Sequence, residues 1–570
     1  LLRLNRRYQQ QDLAMNDGKS AVNLIVGPPG CGKTTRIAET VQELHDLSGG
    51  YGDPVAVFSL TRAAATEAAG RSMPIRRQCV STLHSAAWRA LGRPDLAEPR
   101  SDEFFPDDPD LCVSDAPDDL DDPQWDRGRT QDVTGAQLYQ EYHNLRAAQV
   151  PTGGWPADVV GWARKWENWK EDEGLVDFSD VIEQAVLNTD HAPTQPRWIL
   201  ADEAQDHSAL ELSLLRRWAT GIDGLYLVGD PFQSIYEWRG CHPEMFSDPR
   251  VPISSRVVLD QSYRVPQAVH AAAMEWVRQL SDYQPIEYRP RDEPGHAGRF
   301  FDAVWHHPDA LMDLIQEETK AGRTVMIQAT CSYMVGPTVQ MLREHAVPFA
   351  NPWRTKRGDW NPLGSRSGLT MAARLLALIE PPMENRVWSA AELWTWVEHT
   401  KQAGLLRHGA KKRIEQISNK VEDVSNQPLE FNDLLELFEA EALNRLWNVA
   451  FPEGDQTIAP VHELKIIEWL MEKILPSKKA VLRYPLEVLK AHGIDALRNN
   501  PKVYVGTCHS FKGAEADTVV VFPDLSRRGW IEWLGDGTDG LVRLGYVAMT
   551  RARQNLYVCR PKSGKQMELA

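Results

Sequence analysis

No stretch of this chain approaches the roughly 20 consecutive apolar residues needed to cross a bilayer, and its first residues carry no signal-peptide pattern. We therefore expect no membrane association and a cytoplasmic location. Cysteine is sparse: seven in 570 residues, at 31, 79, 112, 241, 331, 508 and 559, with no Cys-x-x-Cys pair. That spacing argues against a disulfide framework, a zinc ribbon and an iron–sulfur cluster, and suits a reducing compartment. An excess of positive charge is also missing, since the net charge is −16. The deficit is partly local: residues 101–126 hold eleven Asp or Glu and no Lys or Arg, and without them the balance is −5. Gripping a phosphate backbone needs only a local basic track, so a mildly acidic body does not exclude nucleic acid. The acidic run reads as a solvated loop, with docking of a protein partner as its alternative use. At 570 residues and about 150 residues per domain, three to five domains are expected.

What the chain does have begins with Gly27-Pro-Pro-Gly-Cys-Gly-Lys-Thr34, which fits Gly-x-x-x-x-Gly-Lys-Ser/Thr at every required position. An apolar run from Ala21 to Val26 precedes it, and Ile37, Val41 and Leu44 recur at helical spacing after it. Strand, Gly-rich turn and helix in that order make a phosphate loop. Its backbone N–H groups close around a β-phosphate at a helix N-terminus, Lys33 bridges the β- and γ-phosphates, and Thr34 holds Mg²⁺. The phosphate-cradling set is Gly27, Pro28, Gly30, Cys31, Gly32, Lys33, Thr34, Thr35 and Arg36. Upstream, Gln11 can read adenine, because one carboxamide offers both an acceptor and a donor.

A second apolar strand, Trp198 to Ala201, ends in Asp202-Glu203. Such a pair completes a nucleotide site: Asp202 for the metal, Glu203 for the attacking water. A third strand leads into Gly229-Asp-Pro-Phe-Gln233-Ser-Ile-Tyr236-Glu-Trp238, where Gln233 can sense the γ-phosphate. Two further strands, Pro54 to Leu60 and Val80 to Ser85, end in hydroxyls and an imidazole, groups suited to a phosphate backbone. Trp162, Trp166 and Trp169 share one helical face and read as a core stripe.

These segments resemble, in order, the signature motifs of the UvrD-like branch of superfamily 1 helicases. Asp202-Glu-Ala-Gln-Asp206 is similar to their Asp-Glu-x-Gln-Asp, and Gly229 to Gly240 to their Gly-Asp-x-x-Gln-Ser-Ile-Tyr-x-Trp-Arg-Gly. Leu259-Asp-Gln-Ser-Tyr263-Arg264, Gly506 to Glu515 and Tyr546 to Arg553 resemble three more, so the match runs from about residue 4 to residue 558. Three positions depart from the pattern: Ser59 to Ala64 lacks an aromatic residue, Leu83 stands for Phe, and Ala204 stands for Tyr.

The resemblance implies an α/β protein with two RecA-like domains, each a parallel sheet flanked by helices and each carrying a mostly helical insertion. It places the first in residues 1–91 and 177–260, with insertion 92–176, and the second in 261–372 and 497–570, with insertion 373–496. It further implies that Tyr263 stacks on adenine, that Glu515 binds the ribose, and that Arg264 and Arg551 reach the γ-phosphate. Thr61, Arg62, Thr82, His84, Tyr236, Trp238, Thr507 and His509 would contact DNA, with Trp238 stacking on a base. Lys401, Arg407, Lys411, Lys412, Arg413 and Lys420 form a basic cluster, either a solvated helix face or a contact with duplex. Leu429 to Leu446 reads as one amphipathic packing helix. The expected function is an ATP- and Mg²⁺-dependent 3′ to 5′ DNA helicase acting on single strands and their junctions with duplex, as a monomer or a DNA-dependent dimer. The alternatives are a translocase that strips proteins from DNA, and a nucleotide-gated binding module that hydrolyses little.

Overall fold

The computed structural model describes residues 21–50, 52–59, 73–108, 110–113, 134–236, 240–241, 253–354, 360–363, 388–419, 429, 431–450, 468–469, 471–535, 537–562 and 564–569. Two six-stranded sheets organise it. The first contains β1 (Ala21–Val26), β2 (Val55–Ser59), β3 (Val80–Thr82), β4 (Trp198–Ala201), β5 (Gly224–Gly229) and β6 (Ile253–Val258), in the order β3-β2-β4-β5-β1-β6. Every pairing in it is parallel. Parallel strands covered on both faces need unbroken apolar runs, and β2 (Val-Ala-Val-Phe-Ser) is buried at all five positions. Helix α1 (Lys33–Leu47) lays Ile37, Val41 and Leu44 on Ile25, Val55, Val57, Leu200 and Val228. In such sheets ligands bind beyond the carboxyl ends of the strands, where β1 and β4 end here.

β3 is shorter than the sequence suggests. It stops at Thr82, whose Oγ1 accepts the Ser85 N–H at 3.2 Å and caps α2 (Leu83–Ala90), so His84 sits in a first helical turn rather than at a strand end.

Between α2 and β4 the chain builds a helical layer from α3 (Gly135–Ala147), α4 (Ala157–Glu173) and α5 (Phe178–Asn188). Trp162 and Trp166 of α4 are 2% and 0% exposed and stack at 5.6 Å, so the tryptophan stripe is core packing. Beside it lies a buried charge cluster. Lys170 Nζ is 2.6 Å from Asp177 Oδ2, 2.5 Å from Asp180 Oδ2 and 3.3 Å from Glu167 Oε1, while Arg146 bonds Asp180 Oδ1 at 2.7 Å and Glu183 Oε2 at 2.6 Å. The oxygens of Glu167, Asp177 and Asp180 are close enough for a metal, but the Lys170 ammonium already fills that place. Burial works against ionisation of Asp177, yet Lys170 and Arg146 hold it well below the usual carboxylate range. Removing one partner of a buried pair strands the other charge, so Lys170→Met is expected to cost about 3–5 kcal/mol in chemical unfolding.

Glu98 belongs to the same layer and accepts the Phe178 N–H at 2.7 Å. Burial, then the charge of Asp177, raises its carboxyl from 4.5 to about 7. The folded chain thus keeps a proton that the unfolded chain releases, and stability from this residue is lost as pH rises through that window. Glu98→Gln is expected to be more stable than the native protein by about 3 kcal/mol near pH 8 and no more stable near pH 4, below the unfolded-state value, read from paired melts.

The second sheet contains β7 (His296–Phe300), β8 (Val325–Ala329), β9 (Phe349–Ala350), β10 (Val503–Thr507), β11 (Ala516–Phe522) and β12 (Ala552–Cys559), in the order β7-β12-β11-β8-β10-β9. β11 with β12, β12 with β7 and β10 with β9 pair in parallel register. Helix α6 (Ala209–Ala219) follows β4, and α7 (Gln267–Val277) packs on α12 (Thr538–Met549), where Trp276 Nε1 donates to Val542 O at 2.8 Å.

The chain divides into two compact units: Leu1–Trp305 with Gln328–Met334 and Thr507–Ala570, and His306–Ile327 with Val335–Gly506. In the second, α8 (Ala390–Val397), α9 (Ala410–Ser418), α10 (Phe431–Leu437) and α11 (Ala440–Ala450) share a core of Trp388, Leu393, Trp396, Leu406, Ile414 and Phe438, among others. The single helix expected over Leu429 to Leu446 is broken, because Glu439 N–H donates to Leu405 O at 3.0 Å and Arg407 N–H to Leu437 O at 3.0 Å. The basic cluster is partly absorbed locally. Lys411 Nζ bonds the carbonyls of Glu398 and Thr400, Arg407 Nε that of Phe438, and Arg413 pairs with Glu436. Lys401 and Lys412 stay exposed, and Lys420 lies outside the described residues. Among the described residues, no helix is long and apolar enough to cross a membrane.

Candidate nucleotide site and strand interface

After Val26 the chain enters a loop whose Gly27 N–H donates to Gly229 O at 2.9 Å. Gly30 and Gly32 have φ of 75° and 79°, and a Cβ on Gly30 would lie 2.4 Å from Arg264 Cβ. The loop is therefore packed under the segment that carries Tyr263 and Arg264. Tyr263 N–H donates to Gly30 O, and the hydroxyls of Ser262 and Tyr288 donate to Pro29 O, each at 2.9 Å. Pro28 is buried in this loop, as is Cys31. Burial pushes the Cys31 thiol up to about 12, which makes it a packing residue rather than a nucleophile. α1 has no side-chain cap and no acidic residue in its first turn. Nothing in its own side chains neutralises that end, where N–H groups and the dipole favour an anion.

Lys33 Nζ donates to Gly27 O at 2.8 Å, and Thr34 and Thr35 follow it in the first turn of α1. Arg36 departs from its expected place with the nucleotide. Its guanidinium bonds Glu43 Oε1 at 2.9 Å along the helix, which holds it on the helix surface.

Asp202 and Glu203 leave the end of β4. Asp202 N–H donates to Phe58 O at 2.8 Å, its Oδ1 accepts the Glu203 N–H at 2.9 Å, and Glu203 takes a strained φ of 51°. Burial, reinforced by the charge of Glu203, raises the Asp202 carboxyl to about 7. A buried carboxylate driven toward its neutral form is short of positive charge. Its oxygens, like the Thr34 hydroxyl, are hard donors of the kind that suits Mg²⁺, an ion that keeps several waters and takes its other ligands from substrate phosphates. Burial also opposes ionisation of Glu203, but the charges of Lys33 and Lys512 and a hydrogen bond from Gln205 hold it below its ordinary range.

Gln233 is fixed at both ends of its carboxamide. Nε2 donates to Asp230 Oδ2 at 2.8 Å, and Oε1 accepts from Arg551 Nη2 at 2.9 Å. Arg551 is 1% exposed, and burial, then the charge of Arg264, pulls it down to about 9. Arg264 and Glu515, expected on the γ-phosphate and the ribose, are paired with each other at 2.6 Å, and Arg553 holds the second Glu515 oxygen at 3.1 Å. Tyr263 is 74% exposed, an aromatic face open to a stacking partner.

Of the residues expected on DNA, Thr61, Arg62 and Trp238 lie outside the described residues, as does Gln11 of the nucleotide set. The His84 ring stands edge-on to Phe178 at 6.2 Å, and the Tyr236 ring lies 6.4 Å from that of His509. Thr82 keeps its hydroxyl as the cap of α2. Thr507 is 0% exposed and its Oγ1 accepts the Ser510 N–H at 3.3 Å, so its hydroxyl shapes a turn rather than facing a strand. Phe178, 42% exposed at the first position of α5, adds an aromatic face beside His84 that the sequence marks only as the residue just inside the Asp177–Asp180 capping box. Sequence reasoning missed Asp230, whose short spacing to Gln233 in one motif was visible.

A phosphate-binding loop, a carboxylate pair and a buried arginine on parallel sheets flanked by helices define a RecA-like nucleotide-binding protein. Residues 8–250 match the UvrD/REP helicase N-terminal domain, and residues 502–559 match the UvrD-like helicase C-terminal domain. A probable DNA helicase of Mycoplasma pneumoniae is 28% identical over 295 residues, covering 45% of this chain and 52% of that protein. A probable DNA helicase II homolog of Mycoplasma genitalium is 23% identical over 412 residues, covering 63% and 54%. The ATP-dependent DNA helicase PcrA of Bacillus subtilis is 28% identical over 129 residues, covering 21% and 18%. The chain belongs to the UvrD-like helicase family, and it spans about half the length of the first two of these relatives.

Proposed function

We propose that this protein is a motor that hydrolyses ATP to move 3′ to 5′ along single-stranded DNA and to separate duplex. The observation that carries the reading is the Asp230–Gln233–Arg551 chain, which joins a γ-phosphate-sensing amide to an arginine far along the sequence. In this account Lys33 and the N-terminus of α1 bind the phosphates, Tyr263 holds the adenine, and Thr34 and Asp202 would hold Mg²⁺, which supplies charge neutralisation at the transferring phosphate. Glu203, kept ionised, orients the attacking water and takes its proton. Arg264 leaves Glu515 and Arg551 leaves Gln233 when a γ-phosphate offers a stronger partner, and Glu515 is then released to the ribose. Because Gln233 and Tyr236 are close neighbours in the sequence, that exchange is felt where a strand would stack. Contact with the strand is assigned to His84 with its neighbour Phe178, to Tyr236 with its neighbour His509, and, from its motif alone, to Trp238; aromatic stacking worth about 1–3 kcal/mol per base tolerates any sequence, as a motor requires. The two RecA-like domains are assigned to residues 1–91 with 177–260 and to 261–372 with 497–570, and the insertions to 92–176 and 373–496.

Duplexes carrying a 3′ or a 5′ single-stranded tail test the reading, with Lys33→Ala as control. Unwinding from the 3′ tail alone, lost in the control, is expected. Equal unwinding from both tails would contradict the polarity, and strand-stimulated hydrolysis without unwinding would point to a translocase that displaces bound proteins.

A further inference from the structure

Lys512 makes contacts that none of the roles above accounts for. Its Nζ forms an ion pair with Asp206 Oδ2, lies 2.5 Å from Gln233 O, and sits 5.0 Å from the centre of the Tyr236 ring. Both partners of the pair are withdrawn from water, with side chains 9% and 0% exposed. A lysine so placed is not available as an ordinary phosphate contact on the surface. Asp206 also accepts from Gln205 Nε2 at 3.2 Å, and the same nitrogen donates to Glu203 Oε2 at 2.5 Å. Gln205 Oε1 accepts the Asp230 N–H at 3.1 Å, which fixes the carboxamide with its oxygen toward Asp230 and its nitrogen between the two carboxylates. Asp206 Oδ1 is buried without a hydrogen-bond partner among the described residues, so Lys512 is the cation on which an ionised Asp206 depends.

We infer that Lys512 and Asp206 are a positioning pair that sets Glu203 through Gln205 and carries strand engagement at Tyr236 to the water-activating carboxylate. The inference rests on the proposed function. With Lys512 in place, Asp206, whose carboxyl burial raises to about 6 against the pull of Lys512, is charged at neutral pH and draws one N–H of Gln205, which leaves the other on Glu203. With Lys512 withdrawn, Asp206 is a buried charge without a counter-ion; it turns or takes a proton, and Gln205 loses one of the two anchors that aim it. Lys512 follows His509 by three residues and lies beside Tyr236, so a base entering between those rings shifts the ammonium first.

The test is kinetic and uses the full chain. Lys512→Met, Lys512→Arg, Asp206→Asn and the Lys512→Met/Asp206→Asn double variant are compared for kcat and KM for ATP at saturating single-stranded DNA. Strand affinity is measured separately, without nucleotide, by anisotropy of a labelled oligonucleotide. A misaimed base costs on the order of 100-fold in turnover, so Lys512→Met and Asp206→Asn are each expected to lose about that much kcat. KM and strand affinity should move less than about threefold, which a purely structural or DNA-contact role would not produce. Lys512→Arg should recover most of the turnover, and the double variant should be no slower than the slower single one. Unchanged kcat in Lys512→Met, parallel loss of strand affinity, or additive losses in the double variant would each overturn the pair while leaving the motor intact. Absence of strand-stimulated turnover in the native protein overturns both.

Discussion

Arg551→Ala is expected to lower DNA-stimulated ATP turnover by about 10³–10⁵-fold, the range found when an arginine that stabilises a phosphoryl-transfer transition state is removed. Arg551 is fully enclosed, its guanidinium is pulled down to about 9 by burial and then by Arg264, and its bonds run to carbonyls and to the neutral amide of Gln233. A buried cation whose hydrogen-bond partners are all uncharged has charge to offer, and a γ-phosphate gaining negative charge is the partner that uses it. Arg551→Lys should recover little, since an ammonium cannot hold Val547 O, Ala514 O and Gln233 Oε1 at once as the planar fork does. Stopped turnover assays at saturating ATP, alongside nucleotide binding by a fluorescent analogue, would separate loss of rate from loss of affinity. An Arg551→Ala protein within tenfold of the native rate would remove this residue from the chemistry.

Glu203→Gln is expected to lose about 10²–10⁴-fold in turnover, the usual worth of a positioned general base, while still binding ATP and DNA. The substitution keeps the shape and the Gln205 contact region but removes the charge that Lys33 and Lys512 stabilise. Because Glu203 is held below the normal carboxylate range, turnover should remain flat through the mildly acidic range as far as this group is concerned. A variant that hydrolyses ATP normally would place the base elsewhere.

The phosphate loop, the Asp202–Glu203 pair and the parallel strands were legible in the sequence because each is encoded locally, within a strand and the turn that follows it. Contacts between distant segments were not. Asp206 and Lys512 lie 306 residues apart, and Gln233 and Arg551 lie 318 apart, so the motifs name the participants without showing who touches whom. Pairing of Arg264 with Glu515 was hidden for the same reason. Local errors had local causes. Val80 to Ser85 looked extended because β-branched and hydroxyl residues dominate it, yet Thr82 is an N-cap and turns the chain into α2. Leu429 to Leu446 kept a helical apolar rhythm across a break imposed by tertiary hydrogen bonds to Leu405 and Arg407. The Lys170 cluster was invisible, because no pattern in α4 marks Lys170 rather than Lys165 as the buried lysine.

ATP turnover measured with and without single-stranded DNA, in the native protein and in Arg551→Ala, addresses the central claim that hydrolysis is coupled to a bound strand. Strong stimulation of the native protein by the strand is expected, with a flat, low rate in the variant. Equal native turnover in the presence and absence of the strand would contradict that claim.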